Sequence, residues 1–299
     1  MPVYAYPDVG RAGLGNMLFP WARAEVFAAR YGVPVLAPRW TQPKIGPLLR
    51  REKDLRYYTG LFDNSGYIRG LRRAVIIARS ARIPGEQAAT FMADKARLTG
   101  SHIVVFSGWQ GWFDSFLDSR SLVVNRLRAI LSPRVRRLLE QADQTYEVAV
   151  HVRRGDKVPL PFRGPFTGSS GDTMSDQWYI NVMRSVREVL GPGTRFRVFS
   201  DAKPGQIDSI LAEPGVTRSP DNPSIVDILL MSRARVLITS GGSSFSAWAS
   251  FIGGMPTIWY PGCGLPLIET HPELSIETDL EGRMDEKAVS QLDRGMQTS

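Results

Sequence analysis

Cysteine is almost missing from this 299-residue chain: Cys263 stands alone, which excludes an intramolecular disulfide framework and a cysteine-rich zinc site. Histidine is scarce too, and His102, His151 and His271 lie too far apart in sequence to predict a histidine-cluster metal site. No stretch reaches the roughly 20 unbroken apolar residues that a membrane span needs. The amino-terminal run MPVYAYPDVGRAGLGN has no basic segment followed by an apolar one, so no signal peptide is expected and the cytoplasm is the expected compartment. Long repeats and low-complexity tracts are absent. So is any Asp-x-Asp triplet, the paired carboxylates through which many enzymes hold a nucleotide diphosphate on a divalent metal. No Gly-Lys-Ser/Thr occurs, which excludes a Walker loop.

What is present has the balance of a folded globular protein, 43% hydrophobic and 22% charged residues. Lys and Arg number 37 against 29 Asp and Glu, a net charge of +8. That excess favours an anionic partner. Nucleic acid, a membrane surface and a phosphate-bearing ligand all qualify, and charge alone does not choose among them.

Short apolar runs alternate with helical periodicity. Val3–Tyr6 reads as a strand, Pro7–Gly15 as a loop, and residues from Met17 to Tyr31 as a helix with Leu18, Trp21, Ala22 and Val26 on one stripe. Gly32 and Pro34 stop that helix, and Pro34–Ala37 is the expected next strand, making a βαβ unit. Arg50–Arg56 and Arg69–Arg82 read either as surface helices with solvated basic faces or as a patch that leans on an anionic membrane or acceptor. Ile103–Phe106 is a further strand, followed by the aromatic run Trp109–Phe113. From Glu147 the alternation is regular. Strands are expected at Val148–Val152, Phe196–Phe199, Arg235–Thr239 and Thr257–Tyr260. The intervening helices are Asp176–Leu190, one from Ser224 (with Ser224 as N-cap), and one bearing Phe245, Trp248, Ala249 and Ile252. Buried-type strands separated by helices predict a parallel, doubly wound sheet. A linker near Gln141–Tyr146 divides the chain into α/β halves at 1–143 and 144–299, and the last residues read as a polar helix with a frayed tail.

Ligands of open α/β sheets gather beyond the carboxyl ends of the strands. The end at His151-Val152-Arg153-Arg154-Gly155-Asp156 carries two arginines, which are costly in a buried place unless an anion meets them. They read as a phosphate fork, or as a salt-bridged cap paired to Asp156. Ser200-Asp201 ends the next strand, where Asp201 is either the N-cap of a helix or an acceptor for a base or ribose. Thr239-Ser240-Gly241-Gly242-Ser243-Ser244-Phe245-Ser246 combines small residues, hydroxyls and a helix start. It suits a diphosphate, or it is a flexible turn with a serine cap. Gly13-Leu14-Gly15-Asn16 at the first strand-to-helix turn lacks the third glycine of a dinucleotide fingerprint, and an Asn cap is its bland alternative.

In this order, the Gly13–Asn16, His151–Asp156, Phe199-Ser200-Asp201 and Ser243–Trp248 blocks resemble the α-1,2-fucosyltransferases, relatives of the α-1,6- and protein O-fucosyltransferases. Gly108-Trp109-Gln110 through Phe116, and Asp227–Ser232, resemble the same family. The resemblance implies two Rossmann-like domains facing across a cleft, the GT-B type, with the acceptor half first and the GDP-sugar half second. It implies an inverting, metal-independent transfer of L-fucose from GDP-fucose to a galactosyl-type hydroxyl of a glycan or lipid-linked oligosaccharide. By similarity, Arg153 holds the β-phosphate, with Arg154 beside it on the donor. His151 and Asp201 contact the guanosine, Ser243, Ser244, Phe245 and Ser246 the diphosphate, and Gly13, Gly15 and Asn16 face the donor sugar. Met17, Gly242 and Ala247 depart from the family's usual glutamine, asparagine and aromatic, which keeps another GDP-deoxyhexose open as donor. Asp156 is the first candidate for the base that takes the acceptor proton, with Asp172 and Asp176 behind it. No cofactor or metal is expected. The partners expected are the donor, an oligosaccharide or glycolipid acceptor and peripheral contact with the inner membrane face, without nucleic acid. Two readings from other classes stand beside this one. The first is a nucleic-acid binder stacking bases on Trp109, Trp112 and Phe113. The second is a glycan-binding module that keeps the fold without turnover.

Overall fold

A computed structural model describes residues 2–41, 57–94, 99–155, 174–268 and 270–298. The expected basic helix at 50–56 and the aspartates Asp156 and Asp172 lie outside the described residues. The chain divides into two units, residues 1–45 with 54–136, and residues 46–53 with 137–299.

In the first unit β1 (Val3–Asp8) runs into α1 (Leu14–Tyr31). The helix starts earlier than its apolar stripe implies, because the extended backbone of Gly13 makes it the N-cap and its carbonyl accepts the Met17 N–H at 3.1 Å. It ends at Gly32, as the sequence predicts. There follow α2 (Gly70–Arg79), β2 (Ala81–Pro84), α3 (Ala88–Ala93), β3 (His102–Ser107) and α4 (Arg120–Ala129), and the chain passes into the second unit within α5 (Pro133–Gln141). The strands form a parallel sheet in the order β1-β3-β2. The expected strand at 34–37 is reduced to two bridges, Val35 to Ala5 and Leu36 to Ile68, although Leu36 N–H still bonds the Ala5 carbonyl at 2.8 Å. The arginine-rich stretch 69–82 is helical only to Arg79. Beyond Ser80 it becomes the edge strand β2, which pairs with β3. Core formation here rests on Val3, Ala5, Phe27, Val104 and Phe106, which join β1 and β3 to α1.

In the second unit the elements are β4 (Val148–Val152), α6 (Asp176–Leu190), β5 (Phe196–Ser200), α7 (Asp208–Leu211), β6 (Val216–Arg218), α8 (Ser224–Met231), β7 (Val236–Ile238), α9 (Ser244–Gly253), β8 (Thr257–Trp259), β9 (Ser275–Glu277) and α10 (Glu286–Thr298). All strand pairs are parallel, in the order β6-β5-β4-β7-β8-β9. Numbered within this unit, that is 3-2-1-4-5-6, the dinucleotide-binding order, and its direction of winding reverses between β4 and β7. Every residue of β4 is buried, as the central strand of a sheet covered on both faces must be. One cap differs from expectation. Pro223, not Ser224, is the N-cap of α8, because the Pro223 carbonyl takes the Val226 and Asp227 N–H groups at 2.8 and 3.3 Å, which puts Ser224 inside the first turn. Among the described residues no helix is long and apolar enough to cross a membrane.

Candidate functional site

The reversal point between β4 and β7 leaves a crevice at the carboxyl ends of these strands, the place where such sheets bind ligands. Val150 of β4 lies in register with Ile238 of β7, so the chain leaving each strand emerges side by side. From β4 come His151, Arg153, Arg154 and Gly155. From β7 come Gly241, Gly242 and the first turn of α9. The two sequence motifs, about 90 residues apart, meet directly: the His151 ring lies 5.2 Å from the Phe245 ring at an interplanar angle of 31°.

The adjacent arginines have separate environments. Arg154 is wholly buried and makes an ion pair with Asp176 at the start of α6. Its Nη1 also donates to the Arg153 carbonyl at 3.2 Å, and its guanidinium lies 5.7 Å from the Tyr179 ring centroid. Arg153 is half-buried, and among the described residues its guanidinium has no hydrogen-bond or ion-pair partner. A fork-shaped cation with no counter-ion among the described residues, at the strand end where such sheets bind ligands, is suited to meet an anion.

Asp201, just past β5, does not cap a helix. Its Oδ1 accepts the N–H groups of Arg154 at 2.7 Å and Gly155 at 2.9 Å, fastening the turn after β4 to the end of β5. That turn needs its glycine. Gly155 has φ of +47°, and a Cβ there would stand 2.9 Å from Asp201 Oδ2. Oδ2 itself has no partner among the described residues.

The α9 mouth supplies donors. The first N–H groups of a helix have no intrahelical acceptor, and the helix dipole makes that end positive. Gly242, at φ of +61°, turns the chain into it. Ser243 is the N-cap, yet its side chain caps nothing, and its buried Oγ has no hydrogen-bond partner among the described residues. Ser246 donates to the Ser243 carbonyl at 3.4 Å and is fully buried, while Ser244 and Phe245 are half-buried. The buried Nδ1 of His151 also lacks a partner. Burial pushes the His151 ring down to about 4, with Asp201 opposing and the Arg153 charge reinforcing, so the imidazole is neutral near pH 7 and offers one donor and one acceptor. Buried polar atoms without partners are uncommon in folded proteins. Here two of them, His151 Nδ1 and Ser243 Oγ, belong to the chain at the carboxyl ends of the paired strands β4 and β7.

Gly13, Gly15 and Asn16 belong to the first unit, where they form the start of α1 beyond the end of β1. Leu14 N–H there donates to Tyr58 Oη at 2.8 Å. Asn16 is half-buried and is not the cap; Gly13 is. Met17 is fully buried, a core residue. Of the aromatic run, Trp109 is exposed, but Phe113 is buried and packs edge-on to Phe19 at 5.0 Å, as does half-buried Trp112 at 5.7 Å. The three rings therefore do not form an open stacking row.

Among the candidate bases, Asp176 has both oxygens engaged, one by Arg154 and the other by the Ser209 hydroxyl. Sequence reasoning missed the Arg154–Asp176 pair and the Asp201 clamp, because neither partner is a neighbour in sequence. The one local signal was Asp176 in the first turn of a helix, behind the Ser175 cap, whose Oγ accepts the Trp178 N–H at 3.2 Å. Among the described residues no three His, Cys, Asp or Glu side chains group into a metal-binding cluster.

No protein-family profile and no curated protein sequence matches the chain. Solved structures do. The α-1,6-fucosyltransferase NodZ soaked with GDP-fucose is 13% identical, over 88% of this chain and 97% of that one, with a TM-score of 0.50. NodZ from Bradyrhizobium in another crystal structure is 15% identical over 88% and 97%, at 0.49. A mutant of Arabidopsis thaliana FUT1 in complex with GDP is 14% identical over 87% and 71%, at 0.48. The likeness is one of fold. It agrees with the mixed α/β, parallel-sheet architecture described above.

Proposed function

We propose that the chain is an inverting glycosyltransferase that moves L-fucose from GDP-fucose to a galactosyl-type hydroxyl of a glycan or lipid-linked oligosaccharide, as an α-1,2-fucosyltransferase does. One observation carries the reading. Arg153, with no partner among the described residues, an unpartnered Ser243 Oγ and the N-terminus of α9 follow the paired strands β4 and β7 at the strand-order reversal, where the His151 and Phe245 rings meet. The resemblance of the sequence blocks and the GDP-fucose-soaked structure of similar fold agree with it.

The chemistry follows from charge. As the glycosidic bond breaks, negative charge accumulates on the β-phosphate of departing GDP. A guanidinium, a serine hydroxyl and helix N–H groups fixed before the reaction stabilise that charge without reorganising. They do the work that a divalent metal does on an Asp-x-Asp enzyme, so the transfer runs without one. Asp201 Oδ2 and the neutral His151 ring are suited to the guanine edge, whose N1–H and amino group are donors. Inversion requires the acceptor hydroxyl to attack from the face opposite GDP while losing its proton to a base. We assign that base to Asp156 in preference to Asp176, whose oxygens are already occupied. By the resemblance of the sequence blocks, the first unit takes the acceptor. Because buried Met17 gives the turn after Asn16 no polar side chain, another GDP-deoxyhexose is the second reading of the donor.

Thermal-shift measurements with GDP, UDP, ADP and GDP-fucose, each with and without EDTA, test the donor class. A ligand that binds only the native state raises the melting temperature. A shift with GDP and GDP-fucose alone, unmoved by chelator, is expected. Equal shifts with UDP or ADP, or loss of the shift in EDTA, overturn the assignment.

A further inference from the structure

We propose that the outward face of α2 is a docking surface for an anionic lipid bilayer. Three large hydrophobic side chains stand exposed among the described residues, and two of them, Leu71 at 81% and Val75 at 41%, lie on this one helix. With Ala74 and Ala78, both exposed, they follow the spacing that puts side chains on a single helical face. Arg73 fixes which way that face points. It is buried, donates from Nε to the Ala37 carbonyl at 2.8 Å and lies 5.2 Å from the Tyr6 ring, so it holds the other side of α2 onto the unit.

The border of the apolar stripe is cationic. Arg72 and Arg79 flank it, Arg69 precedes it and Arg82 follows it on β2, all exposed. Residues 69–85 hold five arginines and no Asp or Glu. Arg72, Arg79 and Arg82 have no ion-pair partner among the described residues. Leucine and valine at a crest with arginines at its rim match a headgroup–acyl boundary, where apolar side chains enter the chains and cations meet anionic headgroups. A second copy of the chain is a poorer occupant. A two-fold contact through this face would set the arginine cluster against itself. Nucleic acid would leave Leu71 and Val75 without a partner, and α2 has no aromatic side chain on which a base could stack.

The test is flotation of the purified chain with vesicles of phosphatidylcholine, and with vesicles in which about a third of the lipid is phosphatidylglycerol. Binding is expected to the anionic vesicles only and to weaken in high salt. The paired substitutions Leu71→Gln with Val75→Gln, and Arg72→Gln with Arg79→Gln, should each weaken it roughly tenfold. All four side chains are exposed, so melting temperature and the transfer of fucose to a soluble acceptor should not change, which separates this inference from the proposed activity. Absence of anionic-vesicle binding overturns it. So does binding that ignores the Leu71/Val75 pair and is matched by single-stranded RNA, which marks a general polyanion site. Dissociation of a lipid-free dimer by the Leu71/Val75 pair overturns it as well, and assigns the face to a second copy.

Discussion

Two consecutive arginines with opposite surroundings make a controlled experiment at the scale of single residues. Arg154 is fully enclosed and paired with Asp176, which is itself 28% exposed. Removing one partner of a buried pair leaves the other uncompensated, so Arg154→Ala should destabilise the protein by about 3 kcal/mol. Arg153 has no partner to abandon among the described residues. Arg153→Ala should leave the denaturation midpoint within about 0.5 kcal/mol of the parent. Turnover of GDP-fucose should nevertheless fall roughly 100-fold or more, as when one fixed charge-stabilising group is removed. Urea titration and steady-state kinetics on both variants check the division. An Arg153→Ala enzyme of normal activity would leave the leaving-group role without support. The position of both arginines at a strand end was readable from the valine alternation of Val148, Val150 and Val152 ahead of them. Their division of labour was not. Asp176 sits 22 residues beyond Arg154 and Asp201 sits 47 beyond it, and only the parallel pairing of β4 with β5 and the packing of α6 bring them near.

Elements carry the next level. The central strands were legible because burial on both faces demands continuous β-branched and aromatic runs, as at β4 and β5. The edge strands were not. β6 reads Val-Thr-Arg and β9 Ser-Ile-Glu, half-open segments that have no periodicity to see. The first half of β2 reads as helix because Arg82 continues the arginine-rich composition of α2. The mouth of α9 was legible as a Gly/Ser turn before an apolar helix, but the state of its hydroxyls was not, since a serine cap and an idle serine look alike in sequence. Ser243 is idle as a cap, and its buried Oγ goes without a partner, which costs stability in the free protein. Ser243→Ala should therefore hold or raise the melting temperature without ligand, by up to about 1 kcal/mol of stability, and weaken GDP binding roughly tenfold. Calorimetry of the free protein and titration with GDP measure the two halves. A variant that loses stability would mean that the hydroxyl serves the fold and not a ligand.

For the whole molecule, acid is the informative variable, because the two units carry buried titratable groups of opposite sign. In the second unit, burial lowers His151 from 6.5 to about 4. Between those values the unfolded chain binds a proton that the native ring refuses. Stability from this group is thus complete above pH 6.5 and is lost as pH falls toward 4, to a total of roughly 3 kcal/mol. In the first unit, burial raises the Glu25 carboxyl above 4.5, against the opposing Tyr67 hydrogen bond of 2.6 Å and the Arg126 charge. Its native form takes up a proton before the unfolded chain does, so its contribution is present in acid and declines as pH rises through the shifted value. Replacing His151 by Gln should flatten the loss of stability between pH 6.5 and 4. Glu25→Gln keeps an oxygen for the Tyr67 hydroxyl and should change the slope in the other direction, steepening the acid loss. Chemical denaturation of the parent and both variants across this range gives the comparison as differences, in which the many exposed carboxylates cancel. Parallel curves for the parent and His151→Gln would mean that the ring is hydrated and protonates freely. It would then be able to present a cation to a nucleotide, and the neutral, donor-and-acceptor role assigned to it beside Arg153 would have to be given up.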